Sequence, residues 1–333
     1  GTGGGTARVT EAFDLPNLVQ QPDITVSDAG GNNNGSAEPG EPLSITVPLT
    51  NTTGYLATDV TAQIVGGGSA NYGSIAHNGT ASNVISYTVP SASCGSVITL
   101  TINVNSSLGP KSFTRVLRLG VPNTTFTENF DGVTAPAIPS GWTAAPVNGG
   151  VNFVTFATGS DSAPNSAYAL DPATVGGGTD LTSPSLPIST SAASVTFRNK
   201  YDTEAGWDGG ALEISIGGGS FTDIVTAGGS FVENGYNGVM GAGGVNNPLA
   251  GRNGWTGNSN GYLTTTALLP ASANGQTVQL RWRFGADDNT VGTGPNPGWY
   301  IDNVSVVGNY TCSYSAGAKA RSDFDGDGKT DVS

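Results

Sequence analysis

The sequence predicts an all-β protein, an Ig-like β-sandwich followed by a jelly-roll β-sandwich, and three observations carry that expectation. No stretch of the 333 residues sustains a helical period, whereas nearly every apolar segment alternates at period two. Glycine (51) and proline (19), with abundant Asn, Ser and Thr, fill the stretches between those segments. The length corresponds to about two domains at roughly 150 residues each, and 36% hydrophobic residues suffice for two modest cores.

Taken in order, residues 1–22 have the composition of a linker. Residues 23–121 then read as the smaller sandwich. Leu43, Ile45, Val47 and Leu49 alternate with polar residues or proline, as do Val60–Ile64, Ile85–Val89 and Ile98–Val104, and a last strand runs near Phe113–Leu119. Short strands at about ten-residue spacing, separated by turn residues such as Gly66-Gly67-Gly68, describe an Ig-type sandwich. The boundary falls at Gly120-Val121-Pro122-Asn123. Residues 122–310 form the larger unit, with strands at Val195–Tyr201, Leu212–Ile216 and Val278–Phe284, the last placing Arg281 and Arg283 opposite Trp282. Gly217–Gly219, Gly235–Asn247 and Arg252–Gly261 are expected to be loops, and loops this long are more often functional than idle. Residues 311–333 read as a linker and the start of a calcium-loop repeat.

Composition excludes several functions. Lys+Arg 12 against Asp+Glu 25 gives a net charge of −13, so no basic surface is available to neutralise a run of phosphates, and nucleic-acid binding is not expected. No run of 18 or more apolar residues exists for membrane insertion as a helix. The only histidine, His77, sits in a polar turn, which rules out multi-histidine zinc sites, and no G-x-S-x-G motif is present. The chain is therefore not expected to be an enzyme. A glycosidase would need only two acids about 5–10 Å apart in a cleft, and sequence alone does not place such a pair.

Several motifs resemble a known family. Glu128-Asn129-Phe130-Asp131-Gly132 with Pro139-Ser140-Gly141-Trp142 is similar to the opening of a MAM-like jelly roll. Leu181–Leu186 fits its next element, Tyr201–Gly210 resembles its middle, and Pro297-Gly298-Trp299-Tyr300-Ile301-Asp302-Asn303-Val304 resembles its close. Such modules accompany secreted bacterial proteases, including the immune inhibitor A type. The resemblance covers about residues 126–307 and implies an accessory module, since the histidine zinc motif of the protease has no counterpart. The preceding domain resembles the Ig-type modules found beside such jelly rolls.

Two carboxylate sets are candidates for calcium. In the tail, Asp323, Asp325, Asp327 and Asp331, with the carbonyl of Lys329 and the turn at Gly328, have calcium-loop spacing. This tail resembles the start of a dockerin-like or FG-GAP/VCBS repeat, which implies that further domains follow. In the jelly roll, Glu128, Asp131, Asp202, Glu204, Asp208 and Asp302 (with Asp287 and Asp288) either hold a structural cation, as the MAM-like resemblance implies, or are solvated or paired with Arg198, Arg281 and Arg283. In MAM-like folds the first and last strands lie side by side, which would bring Asp131 near Asp302. Among the aromatics, Trp142, Trp282 and Trp299 suit the core. Trp207, Trp255 and Tyr236, set among Gly and Asn, are candidates for a sugar-stacking surface, with a core or loop-anchoring role as the alternative. Cys94 and Cys312 either form one disulfide across a very long loop or remain separate thiols.

The expected function is a non-catalytic, calcium-stabilised extracellular binding or adhesion module of a larger secreted bacterial protein, whose partner is a carbohydrate or cell-surface ligand. The alternative is a structural subunit of an extracellular filament, in which copies associate by adding Ala7–Leu15 as a strand to a neighbour's sheet edge.

Overall fold

The computed structural model describes residues 18–19, 23–172, 176–242, 246–287 and 290–315. The tail candidates Asp323, Asp325, Asp327, Lys329 and Asp331, the segment Ala7–Leu15 and Asp288 lie outside the described residues. The chain divides into two compact units, one of residues 1–120 with 312–333 and one of residues 121–311.

The first unit contains β1 (Leu18–Val19), β2 (Thr25–Ser27), β3 (Pro42–Asn51), β4 (Ala57–Ile64), β5 (Ser69–Ile75), β6 (Thr80–Thr88), β7 (Val97–Asn105) and β8 (Lys111–Arg118). Among the described residues they form two four-stranded antiparallel sheets. In one, β3 pairs with β1, β2 and β6; the other runs β5-β4-β7-β8. The period-two residues behave as expected: Leu43, Ile45, Val47 and Leu49 of β3 pack with Val60, Ile64, Ile85, Leu100 and Ile102 in one core. Burial of this kind is the main favourable contribution to folding.

Two segments expected to be linkers belong to this sandwich. Leu18–Val19 forms a strand against Thr50–Asn51, and Leu18 is fully buried. After the second unit, Cys312 is joined to Cys94 by a disulfide, with Cα atoms 5.9 Å apart. Glu38, itself buried, accepts hydrogen bonds from the backbone N–H groups of Ser313 (2.7 Å) and Tyr314 and from the side chains of Asn32 and Asn34. Those donors hold its carboxyl below the ordinary glutamate range against the opposing effect of burial. A polar acceptor at Glu38 and one cysteine are enough to hold down a segment with no apolar pattern of its own.

The disulfide closes a loop with a sequence separation of 218. Within it, Val121 pairs with Thr311 in the second unit, so a folded second unit shortens the effective loop to about 30 residues and the entropic stabilisation to about 3.5 kcal/mol. A Cys94→Ser/Cys312→Ser variant should therefore lower the calorimetric transition of the first unit by about that amount and leave the second transition where it was. Equal loss in both transitions would contradict this.

The second unit comprises β9 (Val121–Glu128), β10 (Thr143–Val147), β11 (Val154–Phe156), β12 (Ser166–Leu170), β13 (Gly177–Thr182), β14 (Leu186–Pro187), β15 (Ser194–Asp202), β16 (Gly209–Ile216), β17 (Thr222–Asp223), β18 (Ser230–Glu233), β19 (Gly238–Val239), β20 (Asn253–Thr256), β21 (Leu263–Leu268), β22 (Thr277–Ala286) and β23 (Gly298–Thr311). One sheet runs β11-β12-β23-β15-β21-β18, with β9 also on β23, so the first and last strands do lie side by side. The other runs β10-β13-β22-β16-β20-β19, with β14 on β22 and β17 on β16. Between them lies a core rich in aromatics, in which Phe197 meets Trp255 and Trp282 edge-on, with centroids 5.8 and 5.5 Å apart.

Outside the second sheet, the alternation of β22 points Arg281 and Arg283 away from Trp282, as its pattern requires. Arg283 grips Asp180 through two 2.7 Å hydrogen bonds, and Arg281 and Arg252 converge on buried Glu213. Part of the stretch expected to be a loop, Arg252–Gly261, is strand β20. It carries no alternation because glycine is required there: a Cβ on Gly254 would lie 2.5 Å from both the Gly210 carbonyl oxygen and Met240 Cε.

Candidate metal centre and adjoining cleft

Three strand ends of the second unit bring carboxylates together. Asp171 follows β12, Asp287 follows β22, and the turn from β15 into β16 carries Glu204 and Asp208. In that turn the Glu204 carbonyl accepts N–H bonds from Trp207 and Asp208, which folds Asp208 back beside Glu204. Carboxylate oxygens of Glu204, Asp208 and Asp287 lie within 4.8 Å of one another. Asp208 Oδ1 accepts the Asp287 N–H (2.8 Å) and Asp171 Oδ2 the Gly292 N–H (3.0 Å).

The remaining oxygens define the electrostatic problem. Asp171 Oδ1 and Asp208 Oδ2 are buried without a hydrogen-bond partner among the described residues, in side chains that are 1% and 0% exposed. The two carboxyl groups are in contact, and neither has a Lys or Arg partner among the described residues. Burial, and for Asp208 the neighbouring Asp171 charge, push both well above the ordinary aspartate range. Apposed carboxylates in a dry site need a shared proton or a cation between them. The donor set is all oxygen, which fits a hard cation, and its irregular arrangement on three strand ends suits the flexible coordination of calcium better than the strict octahedron of magnesium.

The sequence-based candidates divide accordingly. Glu204, Asp208 and Asp287 meet. Asp202 lies next to them, but its carboxylate accepts from Thr293 N–H (3.1 Å), Gly294 N–H (2.6 Å) and Asn258 Nδ2 (2.9 Å). Glu128, Asp131 and Asp302 do not join the cluster. Glu128 accepts the Phe130 N–H, Asp131 accepts the Asn165 N–H, and Asp302 accepts N–H groups of Asp161, Ser162 and Asn303. Asp131 does approach Asp302, through Ser162 Oγ at 3.4 and 3.3 Å, yet backbone donors already occupy both acids. Asp171 has no sequence signal at all: it stands alone before Pro172, and only strand pairing brings it to Asp208.

The aromatic candidates are corrected by burial. Trp255 is wholly buried, its Nε1 donating to the Asn234 carbonyl, because β20 turns it into the core against Phe197 and Trp299. Tyr236 packs on Trp255 and Phe231 and gives its hydroxyl to Asp223. Trp207 is 38% exposed, its ring lying over Gly241. These three therefore form no shared stacking surface.

A cleft of about 340 Å³ opens instead beside the carboxylates, on the outer face of the sheet that carries β15 and β23. Thr158, Lys200, Asp202, Asn258, Asn260 and Asn296 supply its polar lining, with Tyr300 beneath. Lys200 Nζ lies 4.4 Å from the Tyr300 ring centroid, and Tyr300 packs in turn on Tyr168 at 4.6 Å. The Gly292–Gly294 wall is held by Asp171 and Asp202, so the carboxylate centre and the cleft share a support.

No family model matches the chain, and no curated protein matches it, so the MAM-like resemblance rests on its motifs. Solved structures similar to it include a carbohydrate-binding module of the β-sandwich superfamily (13% identity, TM-score 0.29, covering 89% of this chain and 98% of that one). A cleaved adhesin domain of Lys-gingipain from Porphyromonas gingivalis is 15% identical, with TM-score 0.32, covering 56% of this chain and 99% of that one. The CBM22-1 xylan-binding domain of Xyn10C from Paenibacillus barcinonensis is 11% identical, with TM-score 0.33, covering 58% and 99%. Likenesses this distant add nothing to the sandwich fold, which is read from the strands themselves.

Proposed function

We propose that the chain is a non-catalytic, calcium-stabilised extracellular binding module whose jelly-roll cleft receives a carbohydrate, within a larger secreted protein of the accessory type that the MAM-like motifs resemble. The observation that carries it is the buried contact between Asp171 and Asp208, beside Glu204 and Asp287 and against the Asp202-held wall of a polar cleft. Calcium neutralises the cluster and thereby fixes the wall. Amides from Asn258, Asn260 and Asn296 with the Thr158 hydroxyl match the hydroxyl-rich edge of a sugar.

Two facts support a binding role over catalysis. Asp171 and Asp208, the acids with raised pKa, are buried away from the cleft, and the one carboxylate lining the cleft, Asp202, is already held by three donors. A general acid or base must reach its substrate. A disulfide suits an oxidising compartment, and no helix among the described residues is long and apolar enough to cross a membrane.

Calorimetric titration of chelator-stripped protein tests this reading. Calcium should fill a site that Asp208→Asn eliminates, and a glycan array should return ligands only for the calcium-loaded wild type. Identical calcium isotherms for wild type and Asp208→Asn would remove the metal from the proposal.

A further inference from the structure

Between Val121 and Thr311 the chain carries five basic residues. Four are arginines with internal partners: Arg198 pairs with Asp161, Arg252 and Arg281 with Glu213, and Arg283 with Asp180. Lys200 is the exception among the described residues. Its ammonium is fixed over the Tyr300 ring, with Tyr262 at 5.6 Å, and it faces the cleft. The rings orient the ammonium without neutralising it. Asp202, the acid in the same lining, is turned into three hydrogen bonds of its own. A charge positioned by aromatic packing, with no ion-pair partner among the described residues and with amides in the same lining, is arranged for an anion that arrives with hydroxyl groups.

We propose that this cleft selects a glycan bearing a carboxylate, a uronic acid residue, with the Lys200 ammonium as its charge partner and the Asn258, Asn260 and Asn296 amides on the neighbouring hydroxyls. The proposal rests on the carbohydrate-binding reading above. A single ammonium matches a single negative charge. Screening beyond about 8 Å at physiological salt weakens the opposition of the chain's net −13 to an acidic ligand, and the one carboxylate in the lining, Asp202, is engaged by its own three donors. A sulfate ester offers the same single charge, and the experiment separates the two.

Calcium-loaded wild type, Lys200→Gln and Lys200→Arg would be titrated with trigalacturonate, with neutral galactotriose and with a sulfated galactotriose. Trigalacturonate should bind wild type at least tenfold more tightly than Lys200→Gln, stay within a few-fold on Lys200→Arg, and weaken as salt is raised. Galactotriose should bind all three proteins alike. Equal trigalacturonate affinity for wild type and Lys200→Gln overturns the proposal while leaving carbohydrate binding intact. So does a Lys200-dependent response confined to the sulfated sugar, which would make the anion a sulfate ester. Failure of all three sugars to bind any of the proteins removes the carbohydrate reading itself.

Discussion

On the proposed calcium-stabilised reading, a chelator should lower the melting temperature of the jelly-roll unit by on the order of 10 °C and invert its dependence on pH. A cation present at about a thousand times its dissociation constant stabilises by about 4 kcal/mol, and a unit of this size loses about 2–4 °C per kcal/mol. The inversion follows from Asp171 and Asp208, both raised above the ordinary aspartate range by burial first. Without a cation, the folded state binds more protons than the unfolded chain once pH exceeds the unfolded value of about 3.9. The stability these groups contribute is fully present below that value and is lost as pH rises through their raised folded values. Chelated protein should therefore melt at a higher temperature at pH 5 than at pH 8, and calcium-loaded protein should not. Scanning calorimetry in chelator and in calcium at those two values decides the matter. A chelated protein whose melting temperature climbs from pH 5 to pH 8 would show that the cluster is not held as apposed buried acids.

Trp255→Ala should destabilise the same unit by about 4–5 kcal/mol, the cost of deleting a fully buried aromatic at the meeting point of Phe197, Phe231, Tyr236 and Trp299. Trp207→Ala, by contrast, removes a partly exposed ring lying over Gly241 and should cost about 1 kcal/mol. Denaturant melts of the two variants measure the difference. Comparable losses would mean that Trp255 is not the core element its burial indicates. If Trp255→Ala weakened sugar binding at an unchanged melting temperature, the stacking role would return.

How much of this was legible in the sequence differs from element to element. Long strands such as Leu43–Leu49 and Val278–Phe284 announce themselves, because one buried face imposes alternation that nothing else produces. β20 does not: its backbone passes so close to Gly210 and Met240 that glycine replaces the apolar residue that would have marked it. The carboxylate centre was half visible. Glu204 and Asp208 lie in one turn and Asp287 stands in the same sequence-based carboxylate set, whereas Asp171 carries no sequence signal, and it is β12 and β22 that bring Asp171 and Asp287 to the other two. The cleft was not visible. Lys200 in a strand reads as an ordinary outward-facing charge until every arginine of its unit is found to have a partner.

By itself the sequence determined the fold class, the succession of a smaller and a larger sandwich and the outward face of Arg281 and Arg283, and its charge set the expectation that nucleic acid is not a partner. These depend on composition and on a period of two, both local properties. The tertiary structure alone decided which acids meet, which tryptophan is buried, that Cys312 returns to Cys94, and that Lys200 stands in a cleft with no ion-pair partner among the described residues. Each of those is a contact between residues far apart in the chain, set by strand pairing and by the desolvation of charges inside a closed sandwich, and no local pattern encodes it.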